Sequence, residues 1–235
     1  MRKALFTFAL IFTLTSCADL HHVINQIPQT TGAIGNDQIA SGLREALNFG
    51  IEKQVSKLTQ TDGFYKNDLV KILLPEELKQ VDSGLRKIGL SSLADEGIKA
   101  LNRAAEDAVK EATPIFVNAV KQITFTDAKN ILLGSDNAAT QYLNNKTESE
   151  LYTKFHPVIN QSFSKVGADK IWTNLINKYN SIPFTSKVNP DLTDYVTSEA
   201  LEGVYTMIAV EEKEIRTDIS SRTTTLLKQV FALQD

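Results

Sequence analysis

From Asp37 onward, apolar residues return every third or fourth position and never alternate in twos over a sustained run, and that period decides what the chain can become. Ile39, Leu43, Leu47, Ile51, Val55 and Leu58 place one apolar stripe on a long first helix, because an α-helix brings positions three and four apart onto one face. Thr61-Asp62-Gly63 ends it. Pro75 opens a second helix, whose first turn has no use for the missing N–H. Leu78, Val81, Leu85 and Ile88 form its inner face, and Gly89 terminates it. Ser92 with Asp95 is expected to cap a third helix carrying Leu93, Ile98, Leu101, Ala105 and Ala108.

The second half reads as further helices. Pro114 begins a short one over 115–122. Thr126 is expected to cap a short helical segment ending at Gly134, and Asp136 another running through Tyr142. Thr147-x-x-Glu150 has the form of a capping box opening a helix toward Val166. Pro157 lies inside that helix and is expected to kink it or split it at His156, since proline removes a helical hydrogen bond. Residues 168–179 form another helix. Residues 181–190 hold two prolines and no helical period, and so form a loop. Residues 191–216 are a helix pair or one bent helix, and 222–231 the last helix. With no strand signal and no fixed repeat, the expected fold class is all-α, an irregular multi-helix bundle of about ten short-to-medium helices in one domain, 37–235.

Residues 1–16 read as an export leader. Arg2 and Lys3 precede an uncharged stretch over 4–14, too short for the roughly 20 residues of a membrane span. It ends in Leu14-Thr15-Ser16-Cys17, which resembles the lipobox of bacterial lipoproteins. The chain's single cysteine stands where a thiol is required, since a thioether to diacylglycerol forms before cleavage. Lipidation at Cys17 is therefore expected, with the membrane as partner through that anchor. Each buried CH₂ contributes roughly 0.8 kcal/mol, so two or three acyl chains hold the protein firmly. Ala18 rather than Asp follows the cysteine, which favours an outer-membrane site facing the periplasm. Residues 17–36, rich in Asn, Gln, Thr and Gly, read as a flexible tether with a reach of roughly 25 Å. The His21-His22 pair lies there with no third ligand nearby.

Removal of the leader leaves 23 basic and 28 acidic residues, a net charge of −5. That sign, with the expected compartment, argues against nucleic acid. One cysteine and three histidines exclude a disulfide framework and a cysteine-based zinc site. There is no phosphate-binding glycine loop, no G-x-S-x-G elbow and no Glu-x-x-His pair. No cofactor and no metal are expected.

Many short motifs fall in an order that resembles the bacterial family filed as domain of unknown function 4197. They include Gly42-Leu-Arg-Glu-Ala-Leu47, Asp62-Gly-Phe64, Leu85-Arg-Lys-Ile-Gly-Leu90, Asn102-Arg-Ala-Ala-Glu106 and Pro114-Ile-Phe-Val117. Thr124-Phe125, Asp127-Ala128, Ala138-Ala-Thr-Gln-Tyr142, Lys146-Thr147, Asp194-Tyr-Val-Thr197, Glu211-Glu212, Ile215-Arg216 and Arg222-Thr223 continue the series. The resemblance implies a helical, exported domain and brings no activity with it.

Polar residues on small or apolar helix faces are the candidate site. Asn102, Arg103 and Glu106 stand on the third helix, with Arg103 and Glu106 sharing a face. Asp127, Tyr142, Lys146, Thr147, Asp194, Tyr195, Glu211 and Arg216 stand near other helix ends. They form either a polar pocket in which Arg103 binds an anionic group, or a structural network that satisfies helix ends. Residues 146–190 carry a net charge of +3 and residues 191–216 one of −5, which makes the two segments complementary if they pack together. The leading functional expectation is a non-catalytic envelope protein that binds a partner protein or envelope component. The alternatives are a carrier with an apolar cavity lined by Phe49, Phe64, Phe116, Phe125, Phe155, Phe163 and Trp172, and a carboxylate-based hydrolase using His156.

Overall fold

The computed structural model of the protein describes residues 35–233, apart from 88, 90, 167, 182, 184–186, 188 and 190. The chain divides into two units, 1–33 and 34–235, and every described residue belongs to the second. The leader, Cys17 and most of the expected tether lie outside the described residues, as does part of the 181–190 loop.

Nine α-helices and no strand are present among the described residues: α1 (Asn36–Leu58), α2 (Lys79–Lys87), α3 (Ser91–Val109), α4 (Ala112–Lys121), α5 (Phe125–Leu132), α6 (Ala138–Val166), α7 (Ala168–Asn180), α8 (Thr193–Thr217) and α9 (Thr225–Phe231). Short 3₁₀ turns, Glu76–Leu78 and Ile219–Ser221, precede α2 and α9. The fold is all-α. Three of its helices are long: α1, α6 and α8 have 23, 29 and 25 residues. α6 packs along α3 and α8, while α1 crosses α4, α5, α8 and α9.

The α1 stripe is buried as its spacing requires, from Leu43 to Leu58, with Ile39 half-buried at its start. Two expected boundaries on α6 are absent. Thr147 does not cap a helix. Its hydroxyl donates back to the Leu143 carbonyl at 2.7 Å and lies 2.8 Å from the Tyr205 hydroxyl, the bond a threonine makes inside a helix. The segments expected on either side of it are therefore one helix. Pro157 does not split that helix either. Its ring is exposed, and Leu151, Phe155, Ile159 and Phe163 are buried at intervals of four, so packing holds the helix across the lost hydrogen bond. Residues 193–217 likewise form one helix. The cap of α5 is Thr124 rather than Thr126. Thr124 Oγ1 accepts from Asp127 N, and Asp127 accepts from Thr124 N, a reciprocal box.

Residues 60–75 contain no helix, and they run over the helices with Phe64, Val70, Ile72 and Leu74 buried in the core and Leu69 and Leu73 exposed. Asp62 sits at φ +69°, the left-handed region open to Asp. Phe64 then inserts fully buried against Gly203 of α8, where a Cβ would lie 2.7 Å from its ring. A second close approach places the Trp172 indole against Gly97 of α3, 2.5 Å from where a Cβ would be.

Candidate functional site

The polar residues of α3 grip the 60–75 segment. Asn102 is fully buried. Its Oδ1 accepts from Ile72 N and its Nδ2 donates to the Ile72 carbonyl, both at 2.8 Å. One turn further on, the Glu106 carboxylate accepts from Phe64 N at 3.2 Å and from Arg103 at 2.5 Å. Arg103 also pairs with Asp62, which Lys66 meets from its other side. The hydrogen bond from Lys66 and the charge of Arg103 hold the Asp62 carboxyl below its usual range. Tyr195 of α8 donates to the Leu73 carbonyl at 2.8 Å. Five residues of the resemblance motifs, Asp62, Phe64, Asn102, Arg103 and Glu106, are thus one device. Arg103 faces two carboxylates already and is not a lone anion receptor.

Glu211, Glu212 and Arg216 form a second assembly on α8. Glu211 is buried beside Gly50 and accepts from Lys53 at 2.7 Å and from Gln54 at 2.5 Å, tying α8 to α1. Glu212 accepts from Ala139 N, Thr140 N and the Thr140 hydroxyl at 2.8–2.9 Å, so it caps the start of α6. Arg216 pairs with Glu212 at 2.8 Å and donates to the Ile131 and Leu132 carbonyls at 2.8 and 3.3 Å, where α5 ends. Carboxylate at a helix start and guanidinium at a helix end each complement the macrodipole. Arg44, on the Ile123 carbonyl just past α4, and Arg222, on the Ile215 and Arg216 carbonyls near the end of α8, repeat the second role.

Asp127, Tyr142 and Lys146 come together elsewhere. The Lys146 ammonium lies 5.8 Å from the Tyr142 ring centroid. Thr124 holds Asp127 below the usual carboxylate range, while burial and the Asp127 charge push the Tyr142 phenol up. At the start of α8, Asp194 accepts from the Tyr152 hydroxyl at 2.5 Å and lies 3.1 Å from His156 Nε2. Among the described residues, no serine or threonine hydroxyl hydrogen-bonds to His156. The polar residues singled out in the sequence therefore form four separate groups, not one site.

What the framework leaves open is a groove between α6 and α8, about 570 Å³, lined by Asn144, Glu148, Tyr152, Ser198, Glu202 and Tyr205 among others. The oppositely charged segments do meet along these helices, but Glu148 and Glu202 have no ion-pair partner among the described residues. Burial, then the Glu202 charge, pushes the neighbouring Glu199 carboxyl up. Burial also lifts the Tyr205 phenol to about 12. Sequence reasoning missed this groove because its walls come from helices about fifty residues apart.

Of the aromatic residues proposed to line an apolar cavity, Phe64, Phe116, Phe155, Phe163 and Trp172 are buried in the core, Phe125 is half-buried and Phe49 is exposed. A small apolar pocket between α1 and α8, lined by Leu47, Ile51, Ile208 and Phe231 among others, holds about 20 Å³, roughly one water. Among the described residues no cluster of three or more His, Cys, Asp or Glu is placed to hold a metal, and no helix is long and apolar enough to cross a membrane.

A family model described as "Protein of unknown function (DUF4197)" matches residues 33–232. No curated protein and no solved structure matches the chain.

Proposed function

We propose that this chain, which belongs to the DUF4197 family, is a lipid-anchored, non-catalytic protein of the bacterial cell envelope that docks a basic segment of an envelope partner in the α6–α8 groove. The anchor is the acylated Cys17, the new N-terminus once the leader ending in Leu14-Thr15-Ser16 is removed, on the outer membrane with the domain facing the periplasm. The observation that carries the docking role is the groove itself. Its carboxylates Glu148 and Glu202 lack cations among the described residues, while Asp62, Glu106, Glu211 and Glu212 each have a basic partner. Charge left uncompensated beside the aromatic and hydroxyl groups of Tyr152, Tyr205 and Ser198 suits a lysine- or arginine-bearing peptide.

Two measurements test the two halves separately. Intact-mass analysis of chain recovered from bacterial membranes is expected to give the mass of residues 17–235 plus acyl chains, and Cys17→Ala is expected to leave the chain unacylated with its leader uncleaved. An unmodified thiol still joined to the leader defeats the anchoring. For the groove, binding of a labelled oligolysine peptide is expected to fall about tenfold in Glu148→Gln/Glu202→Gln and to weaken steeply with salt. Equal binding by the double variant defeats the docking role and leaves the anchoring intact.

A further inference from the structure

The α6–α8 groove has an apolar neighbour on the other flank of α8. Three contacts lay residues 67–73 along that helix, running opposite to it. Asn67 Nδ2 lies 3.5 Å from the Met207 sulfur, Val70 Cβ 3.3 Å from where a Cβ on Gly203 would stand, and the Leu73 carbonyl 2.8 Å from the Tyr195 hydroxyl. Val70, Ile72 and Leu74 turn into the core, and Leu69 and Leu73 between them turn outward, 64% and 54% exposed. The same flank of α8 is acidic. Glu199 is one turn from both Tyr195 and Gly203, so it shares their face. Glu202, a wall of the groove, directly precedes Gly203. Neither carboxylate has an ion-pair partner among the described residues. Asp68, beside Leu69, is exposed, and the segment's own cations are engaged elsewhere: Lys66 with Asp62 at 2.8 Å, and Lys71 4.5 Å from the Tyr65 ring centroid.

An acidic strip between an open groove and two bare leucines selects among possible occupants. A bilayer surface presents phosphates, which Asp68, Glu199 and Glu202 repel. A second copy set leucine to leucine across a two-fold axis brings the same carboxylates face to face, and like charges across an interface are costly. A segment that carries apolar side chains beside lysine or arginine satisfies the leucines and the carboxylates together. We propose that the partner docked in the groove is amphipathic: its basic residues meet Glu148, Glu202 and Glu199, and its apolar residues cover Leu69 and Leu73. The interface then reaches from the groove across α8 to the 67–73 edge. This inference rests on the docking role of the groove and adds the apolar half of the partner.

The full chain is titrated with two labelled peptides of equal length and charge, one with leucines set between pairs of lysines and one with serines in their place. The leucine peptide is expected to bind about tenfold more tightly. Leu69→Ser/Leu73→Ser alters only exposed side chains. It is expected to abolish that preference while leaving the serine peptide's affinity and the circular dichroism spectrum unchanged. Glu148→Gln/Glu202→Gln is expected to weaken both peptides. Equal affinity for the two peptides, or a preference that survives Leu69→Ser/Leu73→Ser, overturns the inference; if the glutamate dependence is kept, the docking role of the groove still stands. Loss of the glutamate dependence with the leucine preference kept defeats the groove reading instead. Two further results overturn the proposal by assigning the leucines another occupant. One is self-association that Leu69→Ser/Leu73→Ser abolishes. The other is quenching of Leu69→Trp by brominated phosphatidylcholine vesicles beyond that of the parent chain, whose single tryptophan is Trp172.

Discussion

Asn102 is bonded to Ile72 as one strand residue is bonded to the next: its side-chain amide accepts from the Ile72 N–H and donates to the Ile72 carbonyl, each at 2.8 Å. A helix side chain thereby completes the backbone of a segment that has no secondary structure of its own. The arrangement pairs both backbone groups of Ile72 where that buried residue packs against the helices. Asn102 Nδ2 also donates to the Ile98 carbonyl within its own helix, which fixes the amide's orientation.

Replacing Asn102 with alanine strands a buried N–H and a buried carbonyl at once. The expected cost is about 3 kcal/mol, from penalties of about 1–3 kcal/mol for each buried group left unsatisfied. Urea unfolding measures it, and hydrogen exchange at the Ile72 amide is expected to quicken before the rest of the core opens. A loss under about 1 kcal/mol would mean that water replaces the amide and that the segment is not held as described.

Glu212 and Arg216 are expected to respond unequally although they pair with each other. Glu212→Ala removes the acceptor for three donors at the start of α6 and leaves the Arg216 guanidinium nearly buried without its carboxylate. Arg216→Ala leaves Glu212 with those three donors in place. The first is expected to cost about 3–5 kcal/mol, as when one partner of a buried pair is removed. The second is expected to cost about 1–3 kcal/mol, from the Ile131 and Leu132 carbonyls. Equal costs in denaturant titrations would show that the pair, not the helix start, is what the two residues stabilise.

The contrast between these groups and the sequence shows what is legible and why. Apolar spacing is a local signal, and it placed α1, the stop near Gly63, the start at Pro75 and the turn at Gly89, which indeed has φ +84°. Caps are local too, yet they misled at Thr147, because threonine makes a similar bond inside a helix as at its start and only the partner, here the Leu143 carbonyl, distinguishes them. Pro157 misled because its cost is local while the packing of Phe155 and Ile159 that outweighs it is tertiary. The candidate residues were recognisable as polar groups on apolar faces. That Asn102 meets Ile72, and Arg216 the end of α5, comes from contacts 30 and 85 residues apart. No spacing rule encodes those.

Pro157 gives the sharpest test of that competition. Its ring is exposed, so Pro157→Ala sacrifices no core contact while restoring an N–H for the Thr153 carbonyl. The variant is expected to be more stable by roughly 2 kcal/mol, a part of the cost of proline in a helix interior. The urea midpoint reads the change and the far-ultraviolet spectrum is expected to be unaltered. A destabilised variant would mean that the proline is accommodated by a local geometry which alanine cannot adopt.

Tyr205 joins the core to the groove, packing edge-on against Phe116 at 5.9 Å between centroids while its hydroxyl meets Thr147. Burial raises its pKa to about 12, against about 10 for a tyrosine in water. The unfolded chain therefore loses this proton first. The group's contribution to stability is complete below about pH 10 and is lost as pH rises through about 12. Among the chain's six tyrosines, Tyr205 is expected among the last to ionise in an ultraviolet absorbance titration. Tyr205→Phe removes this alkaline loss. At neutral pH it costs only about 1 kcal/mol, because Thr147 keeps its bond to Leu143. A variant with the same alkaline unfolding profile as the parent would place the titrating phenol elsewhere, and with it the buried wall of the groove.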